Sequence, residues 1–150
     1  MKNKRQMIPA VGLLGVAAFA AYTVVQLNGQ AGPVTGNFTK AAVAEVKDAQ
    51  GQIVLRGEFQ PVDEDDDDVE RKATLTAAGV DTDASGEAEI EFPKNAPSEQ
   101  EVEFSVRNVA AGTVLTFVID GTAVGSATAD AKGRAELELD VRITGPSASR

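Results

Sequence analysis

Apolar and charged residues alternate along the second half of this chain. From residue 135 to residue 143 every second residue is apolar, and the residues between them are charged. The same two-residue period runs through residues 101–107 and residues 87–92. Because successive side chains of a strand point to opposite faces, this period predicts three strands, each with one buried and one solvated face.

An apolar run in the same half of the chain predicts a strand of another kind. Residues 114–119 are apolar on both phases apart from Thr116, which is typical of a central strand covered on both faces. Asp120-Gly121 follows at once and is a strong signal for a two-residue hairpin. We therefore expect a return strand over residues 122–129.

Weaker signals in the first half of the chain complete the predicted sheet. Residues 41–47 and 52–59 flank a turn sequence, and residues 72–77 form a further short strand pattern. About eight strands at this spacing favour an all-β fold, specifically an antiparallel β-sandwich. The Ala-rich segment 41–48 leaves a helical turn open as an alternative to the first of these strands.

One short phrase occurs three times, as Asp48-Ala49-Gln50-Gly51, Asp83-Ala84-Ser85-Gly86 and Asp130-Ala131-Lys132-Gly133. Asp at the first position and Gly at the fourth are typical of a tight turn, because Asp caps the turn and Gly accepts a positive φ. The repeat therefore predicts three strand reversals rather than a repeated binding site.

The outward positions of two predicted strands, 87–92 and 101–107, are mostly Glu. If these strands pair, Glu lies near Glu across the ladder, and like charges in that position are destabilising. We expect basic side chains beside these rows to relieve the repulsion, and the candidates are Arg71, Lys72, Arg107, Arg134 and Arg142. Charged outward rows also discourage edge-to-edge association of sheets.

The first residues form a separate, hydrophobic segment. Basic residues precede an uncharged apolar run over residues 7–25, which predicts an N-terminal hydrophobic helix. Residues 18–20 (Ala-Phe-Ala) fit the cleavage site of a signal peptide, and residues 29–31 offer a second site. A retained membrane anchor is the alternative, because the run is long enough to span a bilayer. Both interpretations export the rest of the chain, to the periplasm, the cell surface or the medium.

These patterns divide the chain into four parts. The Gly and Pro residues between positions 29 and 36 mark a linker. We expect a signal peptide or signal anchor with the start of the linker over 1–31, the linker over 32–40, the β-sandwich domain over 41–145 and a disordered tail over 146–150.

Composition excludes several kinds of function. The chain has no Cys, His or Trp, which removes Ser-His-Asp triads, Cys nucleophiles and zinc sites built on His or thiolate ligands. A formal net charge of −9 opposes binding to nucleic acid or to anionic lipid. We therefore expect no enzyme and no nucleic-acid partner, with membrane contact only through the N-terminal segment if it is uncleaved.

Two stretches resemble exported bacterial immunoglobulin-like and fibronectin type III-like modules. Residues 128–135 (TADAKGRA) resemble the Asp-Ala-x-Gly turn before the last strand of bacterial immunoglobulin-like repeats. Residues 109–115 (VAAGTVL) resemble the Leu-x-Pro-x-Thr-x-Tyr corner of type III modules, with Ala111 in place of Pro and Leu115 in place of Tyr. The resemblance implies a β-sandwich in an exported, non-enzymatic setting, and it transfers no functional residue.

Two acidic stretches are candidate metal sites. The first is a run of six acids, Asp63, Glu64, Asp65, Asp66, Asp67 and Asp68. Clustered carboxylate oxygens suit a hard cation such as Ca²⁺, although a solvated loop is the simpler interpretation. The second contains Asp81 and Asp83 in the order D-x-D-x-S-G, but Phe92 stands where a Ca²⁺ loop needs its closing Glu.

These observations lead to one functional expectation and one alternative. The sequence favours an exported β-sandwich with a structural, adhesive or protein-interaction role, whose partner is a protein or a cell-envelope polymer. The alternative is a weak Ca²⁺-binding extracellular module that uses the acidic loop 63–68. No other cofactor is expected, and the oligomeric state is left open.

Overall fold

A computed structural model describes residues 34–61, 68–79 and 81–143 of the chain. All regular structure in these residues is β, which confirms the all-β prediction. The strands are β1 (Val34–Thr35), β2 (Val43–Lys47), β3 (Ile53–Glu58), β4 (Asp68–Ala77), β5 (Ser85–Pro93), β6 (Glu99–Arg107), β7 (Val114–Ile119), β8 (Thr122–Thr128) and β9 (Ala135–Arg142). None of the described residues forms a helix long and apolar enough to cross a membrane.

The eight strands predicted from the sequence correspond to β2 through β9. The bounds of β7 agree with the prediction, and β4 begins four residues earlier than expected, at Asp68. Residues 43–47 form a strand rather than the alternative helical turn. The additional strand, β1, lies in the predicted linker. The predicted N-terminal helix and the predicted tail 146–150 lie outside the described residues.

The strands form one sheet in the order β1-β9-β6-β5-β4-β3-β2-β7-β8. Every neighbouring pair is antiparallel except β1 and β9, which are parallel. The sheet curls so that its two ends approach each other. β8, the last strand of this order, packs beside β9, which is the second strand. Gly125 of β8 leaves room there for the side chain of Leu137, whose Cδ2 is 2.7 Å from an ideal Cβ placed on Gly125. The sheet is therefore nearly closed, and the two-sheet sandwich stays a prediction.

The interior of the sheet is an apolar core. Phe104 on β6 and Phe117 on β7 are fully buried, and their ring centroids lie 4.9 Å apart. Because β6 and β7 are far apart in the strand order, this contact crosses the core and joins opposite parts of the sheet. Burying a side chain of this size stabilises the fold by roughly 1.5–3 kcal/mol. The apolar residues of the alternating pattern are therefore the ones whose burial holds the sheet together.

The first and third copies of the repeated phrase form the predicted turns. In both, the Asp Oδ1 atom, of Asp48 or Asp130, accepts the backbone N–H groups two and four residues later at 2.8 to 3.0 Å. Gly51 and Gly133 have φ values of 79° and 71°. The backbone therefore needs Gly at the fourth position, as the sequence indicates.

The middle copy also lies at a strand reversal, between β4 and β5 as predicted, but its Gly is not part of the turn. Gly86 lies inside β5, opposite Val106, and has no positive φ. The chain reverses instead at residues 81–84, where Ala84 N–H donates to the carbonyl of Asp81 at 3.4 Å. A Cβ on Gly86 would lie 2.4 Å from the carbonyl oxygen of Ser105. Gly is therefore needed here because β6 approaches closely, not because the chain turns.

The two ends of the sheet differ in their connections. At one end, which we call the turn end, lie the reversals at residues 48–52, 78–84 and 129–134 and the crossover 108–113 between β6 and β7. At the other end lie the segment 36–42, the loop 94–98 and the hairpin at Asp120-Gly121. We call this second end the strap end, because the segment 36–42 runs across it between β1 and β2.

Candidate functional site

One contiguous part of the outer surface is strongly acidic. The strands β4, β5, β6 and β9 are neighbours in the sheet and direct all of their acidic side chains outwards. We call this surface the acidic face. Its acidic residues are Asp68, Glu70, Glu87, Glu89, Glu91, Glu99, Glu101, Glu103, Glu136, Glu138 and Asp140.

The register places these carboxylates directly opposite one another. Glu103 of β6 lies opposite Glu89 of β5 on one side and Glu138 of β9 on the other. One step along the strands, Glu101 lies opposite Glu91 and Asp140 in the same way. The like-charge pairing that the sequence suggested is therefore present, and it extends over more than one strand pair.

Burial and neighbouring carboxyl groups together raise the pKa of two carboxyl groups on this face. Burial is the largest cause that raises the pKa of Glu101 above its ordinary value, and the carboxylates of Glu138 and Glu91 add to it. Burial also raises the pKa of Glu89, and the hydrogen bond with Glu70 and the negative charge of Glu70 add to this increase. Both carboxyl groups therefore hold a proton more readily in the folded protein than in an exposed peptide.

Basic side chains relieve only part of this charge. Lys72 forms an ion pair with Glu70, whose pKa it lowers, and its Nζ lies 3.6 Å from Glu89 Oε2. Arg142 lies opposite Glu99, at one margin of the face. Arg107 donates from Nε to Ser85 Oγ at 3.0 Å rather than to a carboxylate. Lys72 and Arg142 thus meet the expectation of local relief.

Arg71 does not belong to the acidic face, so the expectation for it is wrong. It occupies an inward position of β4, because it alternates with the outward Lys72. Its guanidinium lies over the ring of Phe59, 5.9 Å from the centroid, and donates to the carbonyl of Thr39 at 2.9 Å. Its Nε is buried and has no hydrogen-bond partner among the described residues.

A groove of about 380 Å³ lies where the acidic face meets the strap end. Its polar lining includes Asp68, Glu91, Glu101 and Asp140, and Arg142 is the basic residue beside them. A groove of this size is within the range of small-molecule sites. Its lining is dominated by carboxylates, so a basic side chain is the ligand that it would favour.

Gln100 and Arg71 hold the segment 36–42 against the strap end. Gln100 is the buried polar residue among those described, with 3% of its surface exposed. Its Oε1 accepts Phe38 N–H at 2.9 Å, and its Nε2 donates to the Pro97 carbonyl at 3.0 Å. Arg71 holds the residue after Phe38, which is Thr39, by donating a hydrogen bond to its backbone carbonyl.

Asp120 fixes the end of the same segment. Its carboxylate accepts the N–H groups of Ala42 and Val43 at 3.1 Å and 2.8 Å. The residue has a φ of 46° in the hairpin between β7 and β8. The sequence pattern marked Asp120 as a turn residue and gave no sign that it bonds to a segment about 78 residues away in the chain.

The structure describes three of the predicted metal ligands. Asp68 is the first residue of β4, is exposed and lines the acidic groove, whereas residues 63–67 lie outside the described part of the chain. Asp81 and Asp83 lie near the turn end, where the carbonyl of Asp83 accepts Asn108 Nδ2 at 3.2 Å. In residues 34–61, 68–79 and 81–143, no three acidic side chains are grouped so that they could hold a metal ion.

Comparison with known proteins adds no identity to this geometry. No protein-family model, no curated protein and no solved structure matches the chain.

Proposed function

We propose that this chain is an exported, non-enzymatic β-domain with a protein-interaction role, and that its acidic face meets a positively charged partner. The observation that carries the proposal is the opposition of carboxylates across three neighbouring strands, as in Glu89, Glu103 and Glu138. Each such pair destabilises the fold on a scale of about 0.2–1 kcal/mol. A basic partner would convert these repulsions into attractions.

The negative charge of the acidic face limits the kinds of molecule that can bind to it. An anionic cell-envelope polymer would be repelled by the acidic face, as would the phosphates of nucleic acid. A Lys- or Arg-rich protein segment would be attracted, and its association would be fastest at low salt. A structural or adhesive role remains compatible with this surface if the adhesive contact is made with a basic protein.

The test compares two variants with equal changes in charge. Glu103→Gln with Glu138→Gln removes two opposed carboxylates from the acidic face. Glu58→Gln with Asp83→Asn removes two exposed carboxylates elsewhere on the described surface. The first variant should lose cross-linking to its partner in the native envelope and should bind poly-lysine more weakly, whereas the second should behave as the wild type. Equal behaviour of the two variants would contradict the proposal.

Export itself is part of the proposal and has a direct test. The apolar run 7–25 and the candidate cleavage sites support it. Determination of the N-terminal residue of the native protein should give Ala21 or Gly32 if a signal peptide is removed, and Met1 if the segment is kept as an anchor. Recovery of the protein from the cytoplasmic fraction would contradict both forms.

The immunoglobulin-like sandwich also stays a proposal. The contact between Phe104 and Phe117 supports it, because this contact brings the inner surfaces of two distant parts of the sheet together. The turn at Asp130 supports the resemblance to immunoglobulin-like repeats. An experimental structure with two separate sheets would establish the sandwich, and a continuous ladder around the core would contradict it.

A weak Ca²⁺ site is the alternative function, and one observation favours it. Asp68, the last residue of the acidic run, lines a groove together with Glu91, Glu101 and Asp140. Millimolar Ca²⁺ should then raise the midpoint of thermal unfolding, and replacement of Asp65–Asp68 by Ser should abolish the increase. An unchanged midpoint in the wild type would exclude this alternative.

A further inference from the structure

Two arginines lie side by side where the acidic face reaches the turn end. Val106 of β6 is paired with Ala135 of β9. Arg107 follows Val106 and Arg134 precedes Ala135, so the antiparallel register places the two arginines next to each other across the strands. Both residues are exposed. Like charges in this arrangement repel each other, as the carboxylates of the face do.

The positive charges of these arginines are not neutralised within the protein. In the part of the chain that the structure describes, neither Arg107 nor Arg134 forms an ion pair with a carboxylate. Asp130, in the turn before β9, directs its Oδ1 atom to the backbone N–H groups of Lys132 and Arg134 rather than to the guanidinium. The two guanidinium groups can therefore bind an anion from another molecule.

Backbone contacts hold both arginines in place. Arg107 is in register with Ser85 of β5 and donates from Nε to Ser85 Oγ at 3.0 Å, which leaves its two terminal nitrogen atoms for another acceptor. Arg134 belongs to the turn before β9, and this turn is fixed to the crossover because Val109 N–H donates to the Gly133 carbonyl at 3.2 Å. Binding groups on such supported backbone positions are better pre-organised than groups on free loops.

A pocket of about 300 Å³ lies beside the two guanidinium groups. Ser105 is in register with Glu87 on one side and Glu136 on the other. All three residues line the pocket together with Arg107 and Arg134. Because the Ser105 side chain is short, a hollow is left between the two carboxylates and the two guanidinium groups. The pocket is therefore positive on the side of the turn end and negative on the side of the strap end.

We propose that this pocket binds a carboxylate of the basic protein partner, held by Arg107 and Arg134. This inference rests on the proposed interaction function and adds the orientation of the partner. A guanidinium presents its N–H donors in a planar fork that matches a carboxylate. Glu87 and Glu136 attract a basic group beside that carboxylate. The partner segment therefore carries an acidic residue or its own C-terminus next to Lys or Arg, and one direction along β6 satisfies both charges.

The probes are short peptides that differ in a single charge. The first is acetyl-Glu-Ser-Lys-Ser-Lys-amide, and the second has Gln in place of Glu. A surface that attracts only positive charge binds the Glu peptide more weakly, because this peptide is less positive, whereas a carboxylate site reverses the order. In titrations of the full chain at low salt, the Glu peptide should bind roughly 2-fold to 30-fold more tightly, the range for two exposed ion pairs. It should also shift the backbone amide NMR signals of Gly86 and Ser105.

A second pair of peptides identifies the source of the carboxylate. Acetyl-Lys-Ser-Lys-Ser with a free C-terminus is compared with its C-terminal amide under the same conditions. Tighter binding of the free acid would assign the pocket to a chain terminus, and a preference confined to the Glu peptide would assign it to an acidic side chain. Either result supports the carboxylate site.

Two double variants test whether the arginines cause this preference. Arg107→Gln with Arg134→Gln removes both guanidinium groups from the pocket, so the Glu peptide should then bind more weakly than the Gln peptide. Lys40→Gln with Arg56→Gln makes the same change in charge at two exposed positions outside the pocket and should keep the wild-type order. The comparison of peptides on the wild type decides the proposal even if a variant fails to fold.

The outcomes separate this inference from the proposed function. If the carboxylate peptides bind no more tightly than their uncharged counterparts, the acidic face binds basic partners but the carboxylate site is wrong. If none of the peptides binds at low salt, the proposed interaction with a basic partner fails as well. A preference for the Glu peptide that persists in Arg107→Gln with Arg134→Gln would place the carboxylate elsewhere and overturn the assignment to these arginines.

Discussion

The two halves of the sheet share one core but carry different outer surfaces. The acidic half, β4, β5, β6 and β9, has opposed carboxylates along its length. The other half, β2, β3, β7 and β8, carries four charged residues, Glu45, Lys47, Arg56 and Glu58. There Glu45 is held between Lys47 at 3.4 Å and Arg56 at 3.5 Å. We call this second part the balanced half.

The difference between the halves shows that the fold requires the buried core and only tolerates the outward carboxylates. Both halves bury alternate side chains in the same apolar core, so both are held by the same packing energy. The balanced half shows that this sheet is formed with few outward charges and with local ion pairs. The opposed carboxylates of the acidic half therefore add no stability, and the proposed binding of a basic partner would account for their presence.

The largest effect is expected where the two halves meet in the core. Phe104→Ala should lower the free energy of unfolding by about 3–5 kcal/mol, because it removes a buried ring and leaves a cavity against Phe117. Denaturant unfolding gives the value. Val114→Ala is the control, since Val114 is 44% exposed and its truncation should change stability by about 0.5 kcal/mol or less. A loss below about 1 kcal/mol for Phe104→Ala would mean that the halves are not packed together.

The second effect tests the close approach of strands within the acidic half. Gly86→Asn should destabilise the fold by about 1–3 kcal/mol, because a Cβ there meets the Ser105 carbonyl. Gly51→Asn should cost about 1 kcal/mol or less, because Asn tolerates a positive φ and nothing lies within 4 Å of that position. Thermal and denaturant unfolding of both variants measures the difference. Equal losses would mean that Gly86 is a turn glycine after all.

Gly86 also shows how far the sequence alone could go. The strands were predictable because a two-residue period directly reflects a sheet with one buried face. The opposition of Glu rows followed from pairing two such strands. The glycine of the middle copy was misassigned because four letters match a turn without revealing that β5 begins at Ser85. The local pattern cannot report how closely a neighbouring strand approaches.

The contacts of the strap end were not predictable for a related reason. Gln100 and Arg71 bond to residues 62 and 32 positions away in the chain. No periodicity links such positions, and their pairing depends on the complete strand order. The strand β1 was missed because its two residues carry no pattern. Sequence reasoning therefore found the acidic rows of the candidate site, but not the contacts of the strap end.

A smaller effect, of opposite sign to the first two, should come from the charge of the acidic half. The pKa of Glu101 is raised on folding, so the folded state binds a proton more readily than the unfolded state. Its ionised form therefore destabilises the fold above the folded pKa, and this is relieved as the pH falls through that pKa towards the ordinary value of 4.5. Glu101→Gln should thus raise the free energy of unfolding at neutral pH by up to about 1 kcal/mol.

The pH dependence provides the control for this prediction. The difference between Glu101→Gln and the wild type should shrink below the ordinary carboxyl pKa, because the wild-type side chain is then neutral in both states. Glu58→Gln, in the balanced half, should show no such gain. Unfolding followed by circular dichroism between acid and neutral pH measures both differences. A loss of stability in Glu101→Gln at neutral pH would show that the carboxylates of this half are not in net repulsion.

The smallest effect on stability is expected in the balanced half. It should be a loss, in contrast to the gain expected in the acidic half. Arg56→Gln removes one of the two cations beside Glu45, whose side chain is only 15% exposed, while that of Arg56 is 53% exposed. An ion pair with one exposed partner contributes roughly 0.2–1 kcal/mol, so the variant should lose stability by that amount. Added salt should reduce this loss, and it should also reduce the part of the Glu101→Gln gain that comes from the neighbouring carboxylates, because both of these contributions are Coulombic. Loss of charge therefore weakens one half and strengthens the other. If Arg56→Gln and Glu101→Gln shift stability in the same direction at low salt, the two halves do not differ in their charge balance, and the acidic face loses its physical basis as a binding surface.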